Sequence, residues 1–206
     1  MPKATLSSLA IFALVASPSW ASLTIVVGDH ELQADQANQP IEVFVSGGDP
    51  VQGLNCRVQV ADGGPEAGGS ANGPRIQDLD ILSGTIFQGN NTGTGDVDGP
   101  HPDAWPLGEI RSTITVSGTV AAQGLLATIT MDTTGFYLGT WPLILSDTRD
   151  GPTDFPGLPA PAITDGTITI RGEQPPPIIP EPSTFVLVSL GGVGLARWRR
   201  RAGRRP

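Results

Sequence analysis

The residues able to do chemistry in this 206-residue chain are few and scattered. Its two histidines, His30 and His101, both stand close to acidic residues in the sequence. A histidine becomes a general base when a serine nucleophile and an orienting carboxylate meet it in space. The Gly-x-Ser-x-Gly turn that presents such a serine is absent, so both histidines are read as solvated loop side chains. Glycoside hydrolysis needs two carboxylates at a set separation, and none of the six glutamates stands out by its context. No catalytic residue is assigned, and a hydrolase is kept only as an alternative. Cys56 alternates with Leu54 and Val58, which points to a buried apolar thiol and not to a nucleophile. As the single cysteine it forms no intrachain disulfide.

Two binding chemistries are suggested by spacing. Asp96, Asp98 and Asp103 crowd a turn that also holds Gly95 and Gly99, and calcium takes six to eight such oxygen ligands. The run departs from the EF-hand pattern, because Gly99 falls at the fourth position and no glutamate follows at the twelfth. A solvated acidic loop is the competing reading, and the same holds for the turn from Asp147 to Asp154. No other metal or cofactor is implied. Trp105, followed by Pro106, could offer an apolar ring face for stacking on a sugar, whereas Trp141 reads as packing at the start of a strand. Asn90-Asn91-Thr92 matches the glycosylation sequon and is read as coincidence.

Charge divides the chain. Residues 22–180 hold five arginines, no lysine and nineteen acidic residues, a net of −14, while six arginines and no acid follow Ala196. An acidic body repels nucleic acid, which removes DNA and RNA from the partners expected. At the N-terminus, Lys3, the apolar run Leu6 to Ala16 and the small residues Ser19 and Ala21 form a secretory signal peptide, 1–21, cut between Ala21 and Ser22. That apolar run is too short to span a bilayer, which takes about 20 residues.

The C-terminal end repeats the theme with a different construction. Pro180-Glu181-Pro182 precedes the apolar stretch Ser183 to Ala196, and Arg197-Trp198-Arg199-Arg200-Arg201 follows. As a short hydrophobic helix, that stretch would reach about 21 Å, against a hydrocarbon core of about 30 Å. Arginines at its end keep it oriented with the acidic body outside. Two prolines around Glu181 deny the segment a helix and leave it extended. This order of motif, apolar segment and basic tail resembles the PEP-CTERM sorting signal of Gram-negative bacteria. The resemblance implies recognition by an integral-membrane exosortase, transient membrane insertion, removal of residues 180–206, and delivery to the cell surface or extracellular matrix. A permanent single-span anchor is the alternative.

Between the two ends, apolar residues recur with period two and no helical stripe of useful length appears. Leu23, Ile25 and Val27 alternate, as do Ile41, Val43 and Val45. The series continues in Leu54, Cys56, Val58 and Val60, in Leu79 and Ile81, and in Thr85-Ile86-Phe87. Ile110, Ile114 and Val116 alternate with Arg111, Thr113 and Thr115, and Leu125, Ala127, Ile129 and Met131 form the next run. Trp141, Leu143 and Leu145, then Ile168 and Ile170, close the set. Gly/Pro/Asp turns separate these runs. The expected fold is all-β: an antiparallel β-sandwich of about nine strands, jelly-roll or immunoglobulin-like, over residues 22–171, with a Pro-rich linker at 172–179. Phrases such as Leu23-Thr24-Ile25-Val26-Val27-Gly28, Ile81-Leu82-Ser83-Gly84-Thr85-Ile86-Phe87 and Asp165-Gly166-Thr167-Ile168-Thr169-Ile170 resemble the cohesin-like family. That family binds dockerin modules and shares its sandwich with carbohydrate-binding modules. The third strand departs from it by running into Ala61-Asp62-Gly63-Gly64-Pro65. The chain is therefore read as a non-enzymatic exported surface protein whose sandwich binds an envelope protein, or alternatively an exopolysaccharide.

Overall fold

The computed structural model describes residues 22–95 and 106–173. The chain divides into two compact units, 1–173 and 174–206, and the sandwich belongs to the first. The signal peptide with Ala21, the calcium candidates Asp96, Asp98 and Asp103, His101, Trp105, and the whole sorting segment with Pro180, Glu181, Pro182 and its hydrophobic helix lie outside the described residues.

Alternation produces strands wherever one face can be buried. In order these are β1 (Thr24–Val26), β2 (Asp29–Gln33), β3 (Gln39–Ser46), β4 (Pro50–Val51), β5 (Gly53–Val60) and β6 (Arg75–Asp80). They continue as β7 (Gly108–Ile114), β8 (Val120–Ala121), β9 (Gly124–Asp132), β10 (Leu138–Ile144), β11 (Ala162–Thr164) and β12 (Gly166–Arg171). One sheet runs β11-β1-β3-β9-β6, the other β2-β12-β10-β5-β7, and β4 pairs with β8 in a small ribbon. The only helix among the described residues is a 3₁₀ turn at Pro65–Ala67. No helix there is long and apolar enough to cross a membrane.

The all-β sandwich expected from the alternation is the fold observed, with three differences of detail. First, β2 and β11 add strands that carry little apolar signal; Leu32 is the single buried residue of β2. Second, Thr85-Ile86-Phe87 is a turn, because the Thr85 hydroxyl donates to the Ile81 carbonyl at 2.7 Å and accepts from the Phe87 amide at 3.2 Å. Side-chain bonds of this kind compete with a strand ladder. Third, the sheets are not purely antiparallel: β1 pairs with β11, and β2 with β12, in parallel.

Those parallel pairs form one continuous feature. The chain passes from the first sheet to the second at Gly28 on its way from β1 to β2, and again at Asp165-Gly166 between β11 and β12. Gly28 takes φ +83°, a backbone conformation that favours glycine. A Cβ on Gly166 would lie 1.7 Å from the Gly28 carbonyl oxygen, so the two backbones touch with no room for a side chain. The Asp165 carboxylate fixes the corner by accepting from the Leu145 and Ser146 amides at 2.7 and 3.0 Å and from the Ser146 hydroxyl.

The core fills the space between sheets with Ile25, Ile41, Val43, Leu54, Leu79 and their neighbours, all buried. A bulge in β9 supplies one extra core residue. Val43 pairs with Ala127 but Phe44 pairs with Leu125, so Leu126 is inserted and both Leu126 and Ala127 face inward. Cys56 is buried here as expected, and burial pushes its thiol up to about 12, outweighing the Thr153 hydrogen bond and the Arg57 charge.

Replacing Gly166 by alanine is expected to destabilise the sandwich by more than ~3 kcal/mol. Urea unfolding of residues 22–173, followed by circular dichroism, measures this; a midpoint equal to wild type would contradict the crossing geometry.

Candidate functional site

Strand β7 is the edge of the second sheet, and its polarity is the reverse of what the sequence suggests. Residues directly opposite in an antiparallel pair share a face. Glu109, Arg111 and Thr113 lie opposite Val58, Cys56 and Leu54, which are core residues. Glu109 is therefore 2% exposed and Thr113 4%, while Ile114 stands 56% exposed and Val116 beyond it 69%. Of the three residues expected to line the core, Ile110 is buried in the core cluster, whereas Ile114 and Val116 are corrected to exposed positions.

Local chemistry makes the inversion tolerable. The Glu109 carboxylate meets the Arg111 guanidinium on the inner side of the strand, so neither charge faces the interior alone. The Thr113 hydroxyl donates to the Gly93 carbonyl at 2.8 Å. Across the pair, Gly53 has no side chain; a Cβ there would come within 2.9 Å of Ile114 Cγ2 and of the Thr113 carbonyl. Glycine at 53 is what lets Ile114 lie against β5.

The free edge of β7 is closed by the segment before it. Gly95 and Ser112 exchange amide-to-carbonyl bonds at 2.9 Å, and the Thr92 amide donates to Ile114 at 2.9 Å. Asn90 completes the cover with its side-chain amide, donating to the Ser117 carbonyl at 2.9 Å and accepting from the Ser117 amide at 3.2 Å. This sequon asparagine thus substitutes for a strand residue. A covered edge does not recruit another strand.

That face holds two shallow depressions on either side of an Ile114–Pro156 ridge. One, of about 310 Å³, includes Gln52, Gly53, Val116 and Ser117; the other, of about 470 Å³, includes Asn55, Thr92, Thr94 and Ser112. No charged residue lines either, although the body as a whole is strongly acidic. Nearby, Arg57 is held by Asp154 at 2.9 Å and by the Pro152 carbonyl at 2.7 Å, which engages the acidic turn expected as a second calcium candidate.

The site also has a defined position along the sandwich. β3 runs from Gln39, beside Gln33 and hence beside Arg171 at the end of β12, to Ser46, which pairs with Thr24. The chain then turns through Gly48 and Pro50 into Gly53 opposite Ile114. Ile114 and Val116 therefore occupy the pole opposite the one from which Gly172 departs, roughly 26 Å away for eight residues of strand.

Of the other sequence candidates, His30 lies in β2 and not in a loop, with a ring nitrogen donating to the Val27 carbonyl at 2.8 Å. Trp141 packs edge-to-face on Phe136, ring centres 5.7 Å apart, and its indole donates to the Asn72 carbonyl at 2.9 Å. The structure does not bring His30, Cys56 and a serine together. Among the described residues no group of three metal-ligating side chains converges.

Near Trp141, the Gly-rich segment 61–74 frames a cavity of about 160 Å³ between Glu66, Arg75 and Leu107. Asp62 organises that segment. Amides of Ser70, Ala71 and Gly64 donate to its carboxylate at 2.7, 2.9 and 3.0 Å and hold its pKa down at about 2, from an ordinary 3.8. A depressed carboxyl contributes stability above its unfolded pKa and loses it as pH falls through the folded value. The loop is therefore expected to keep its form down to about pH 3 and to release between there and pH 2. Amide shifts of Ser70 and Ala71 followed by NMR would check this; titration at an unperturbed 3.8 would contradict it.

Comparison with solved structures returns cohesin modules at low identity. A non-cellulosomal cohesin from the hyperthermophilic archaeon Archaeoglobus fulgidus is 17% identical, with TM-score 0.46, 73% of this chain and 91% of that one covered. The third ScaB cohesin of R. flavefaciens, solved with a group 1 dockerin, is 12% identical at TM-score 0.49, covering 77% and 100%. The seventh ScaB type I cohesin from Pseudobacteroides cellulosolvens is 12% identical at 0.48, covering 75% and 95%. No curated protein matches the chain. Residues 179–201 match the PEP-CTERM protein-sorting motif, and the chain carries that signal where Pro180, Glu181 and Pro182 stand.

Proposed function

We propose that this chain is an exported, non-catalytic surface protein that is sorted by an exosortase and holds an envelope protein on the outer face of β5 and β7. The observation that carries the binding site is the inverted edge strand. An ion pair faces the core while Ile114 and Val116 face solvent, and a fold accepts that arrangement more readily where the exposed apolar group has a use. Surfaces that bind proteins concentrate apolar groups at the centre and keep charge to the rim. The uncharged depressions around Ile114, with Arg57 and Asp154 beside them, have that form.

The C-terminal motif and the N-terminal segment read as a signal peptide support export and surface sorting. The acidic body agrees with a partner engaged through packing, since like charge would repel anionic polymers. That favours a protein over an acidic polysaccharide as the occupant.

Purified 22–173 added back to host cells lacking the protein should bind their surface. The double substitution Ile114→Asp/Val116→Asp, with an unchanged circular dichroism spectrum, should weaken that binding at least tenfold, about the loss of a central apolar contact. Protease treatment of the cells should abolish binding. Binding that survives protease and disappears when polysaccharide is stripped would transfer the site to the carbohydrate reading, and an unaffected double variant would remove it from β7. Intact mass spectrometry of the mature protein should give a chain beginning at Ser22 and ending before Arg197. Recovery of Arg205 would establish a permanent anchor instead.

A further inference from the structure

We propose that the outer face of the first sheet is a second docking surface, one that takes a cationic protein segment with an apolar centre. It is separate from the site on β5 and β7 and does not depend on it. Its apolar part is a row across three neighbouring strands. Val26 of β1 lies directly opposite Phe44 of β3, and Phe44 lies opposite Leu125 of β9. Val26 is 44% exposed and Phe44 49%, while Leu125 is part-buried and stands outside the core cluster. Neighbouring strands are about 4.8 Å apart, so the row covers roughly 10 Å.

The bulge in β9 is what puts Leu125 there. Without it, alternation from Ala127 would turn Leu126 outward and Leu125 into the core. With it, Leu126 is buried and Leu125 meets Phe44 on the outside. Bulges re-aim side chains in this way next to sites of use. The turn after β6 closes the row. The Ile86 amide donates to the Leu125 carbonyl at 2.9 Å, and a Cβ on Gly84 would touch Leu125 Cδ2 at 3.8 Å.

Charge selects the occupant. The next row on the same face is Glu42, Thr128 and Asp80, directly opposite one another, and the row after it is Pro40, Thr130 and Asp78. Glu42 precedes Phe44 by two strand residues, about 7 Å. Three carboxylates therefore border the apolar row on one side. Arg75 is the only basic residue in the five strands of this sheet, and it stands a row further off, opposite Asp132. Docking surfaces keep apolar groups central and charge at the rim, and complementary charge steers the encounter. The partner segment accordingly sets an apolar side chain on Phe44 and arginine or lysine about one strand repeat away. An anionic polymer would meet like charge, and a second copy of this acidic body would bring carboxylates to carboxylates.

The test holds the full 206-residue chain in nanodiscs of zwitterionic lipid and measures peptide binding by surface plasmon resonance. Three twelve-residue probes are compared: a Phe-Leu centre flanked by arginines, the same centre flanked by glutamates, and a Gly-Ser centre flanked by arginines. The first should bind at least about tenfold more tightly than the other two. Phe44→Thr/Leu125→Thr should remove that advantage, with the buried Cys56 still shielded from thiol reagents as the sign of an intact core. Glu42→Gln/Asp78→Asn should abolish the weakening of binding by salt between about 50 and 300 mM. Ile114→Asp/Val116→Asp should leave binding unchanged, so that failure of one surface is told apart from failure of the other. Absence of binding, equal binding of all three peptides, or full binding by the Phe44/Leu125 variant would overturn the proposal. Sedimentation showing that the chain pairs with itself through Phe44 would overturn it in favour of a self-interface.

Discussion

Two segments of this protein cross from one sheet to the other side by side, and at the crossing their backbones touch. Gly28 and Gly166 meet at a distance that admits no side chain, and Asp165 ties the same corner to Leu145 and Ser146. Because β1 and β2 belong to different sheets, and β11 and β12 likewise, the pair staples the layers of the sandwich together. The staple is made from the beginning and the end of the domain, so its contacts are separated by more than 130 residues. Closing such a loop costs entropy before the contact rewards it, which places this step late in folding.

A second constraint operates at the opposite edge. β7 buries Glu109 and Thr113 while exposing Ile114, and it does so without leaving the buried polar groups alone. Glu109 has Arg111 on the same strand, Thr113 has the Gly93 carbonyl, and Gly53 gives Ile114 a surface to lie against. A buried ion pair contributes little net stability against a well-packed apolar pair. The inversion is thus a structural concession, and what it yields is an exposed uncharged ridge on an otherwise acidic molecule. The cover over the β7 edge, built from residues 90–95, keeps that exposed strand from pairing with other chains.

These two features lie in different parts of the sandwich. The crossing lies where the first and last strands meet and leaves no room for change. The ridge lies at one pole, at the far end of β3 from Arg171. The Gly-rich segment 61–74 is a third region, organised by one exposed carboxylate and by Trp141 and not by strand pairing.

Much of this was legible in the residues themselves. Strict alternation in Leu23–Val27, Ile41–Val45 and Leu54–Val60 named the buried face of three strands, because a period of two allows a single inward set when one member is always apolar. The sorting signal was equally legible, since proline content, apolar length and terminal charge act locally. The end of β7 was not: alternation placed Ile114 inward with Ile110, and only the pairing with β5 leaves Thr113 buried and Ile114 exposed. Nor could the parallel association of β1 with β11, or the need for glycine at 166, be read from a sequence in which those segments stand far apart. Their contact exists only when both sheets are assembled, so tertiary structure alone decided which glycine is structural and which isoleucine is exposed.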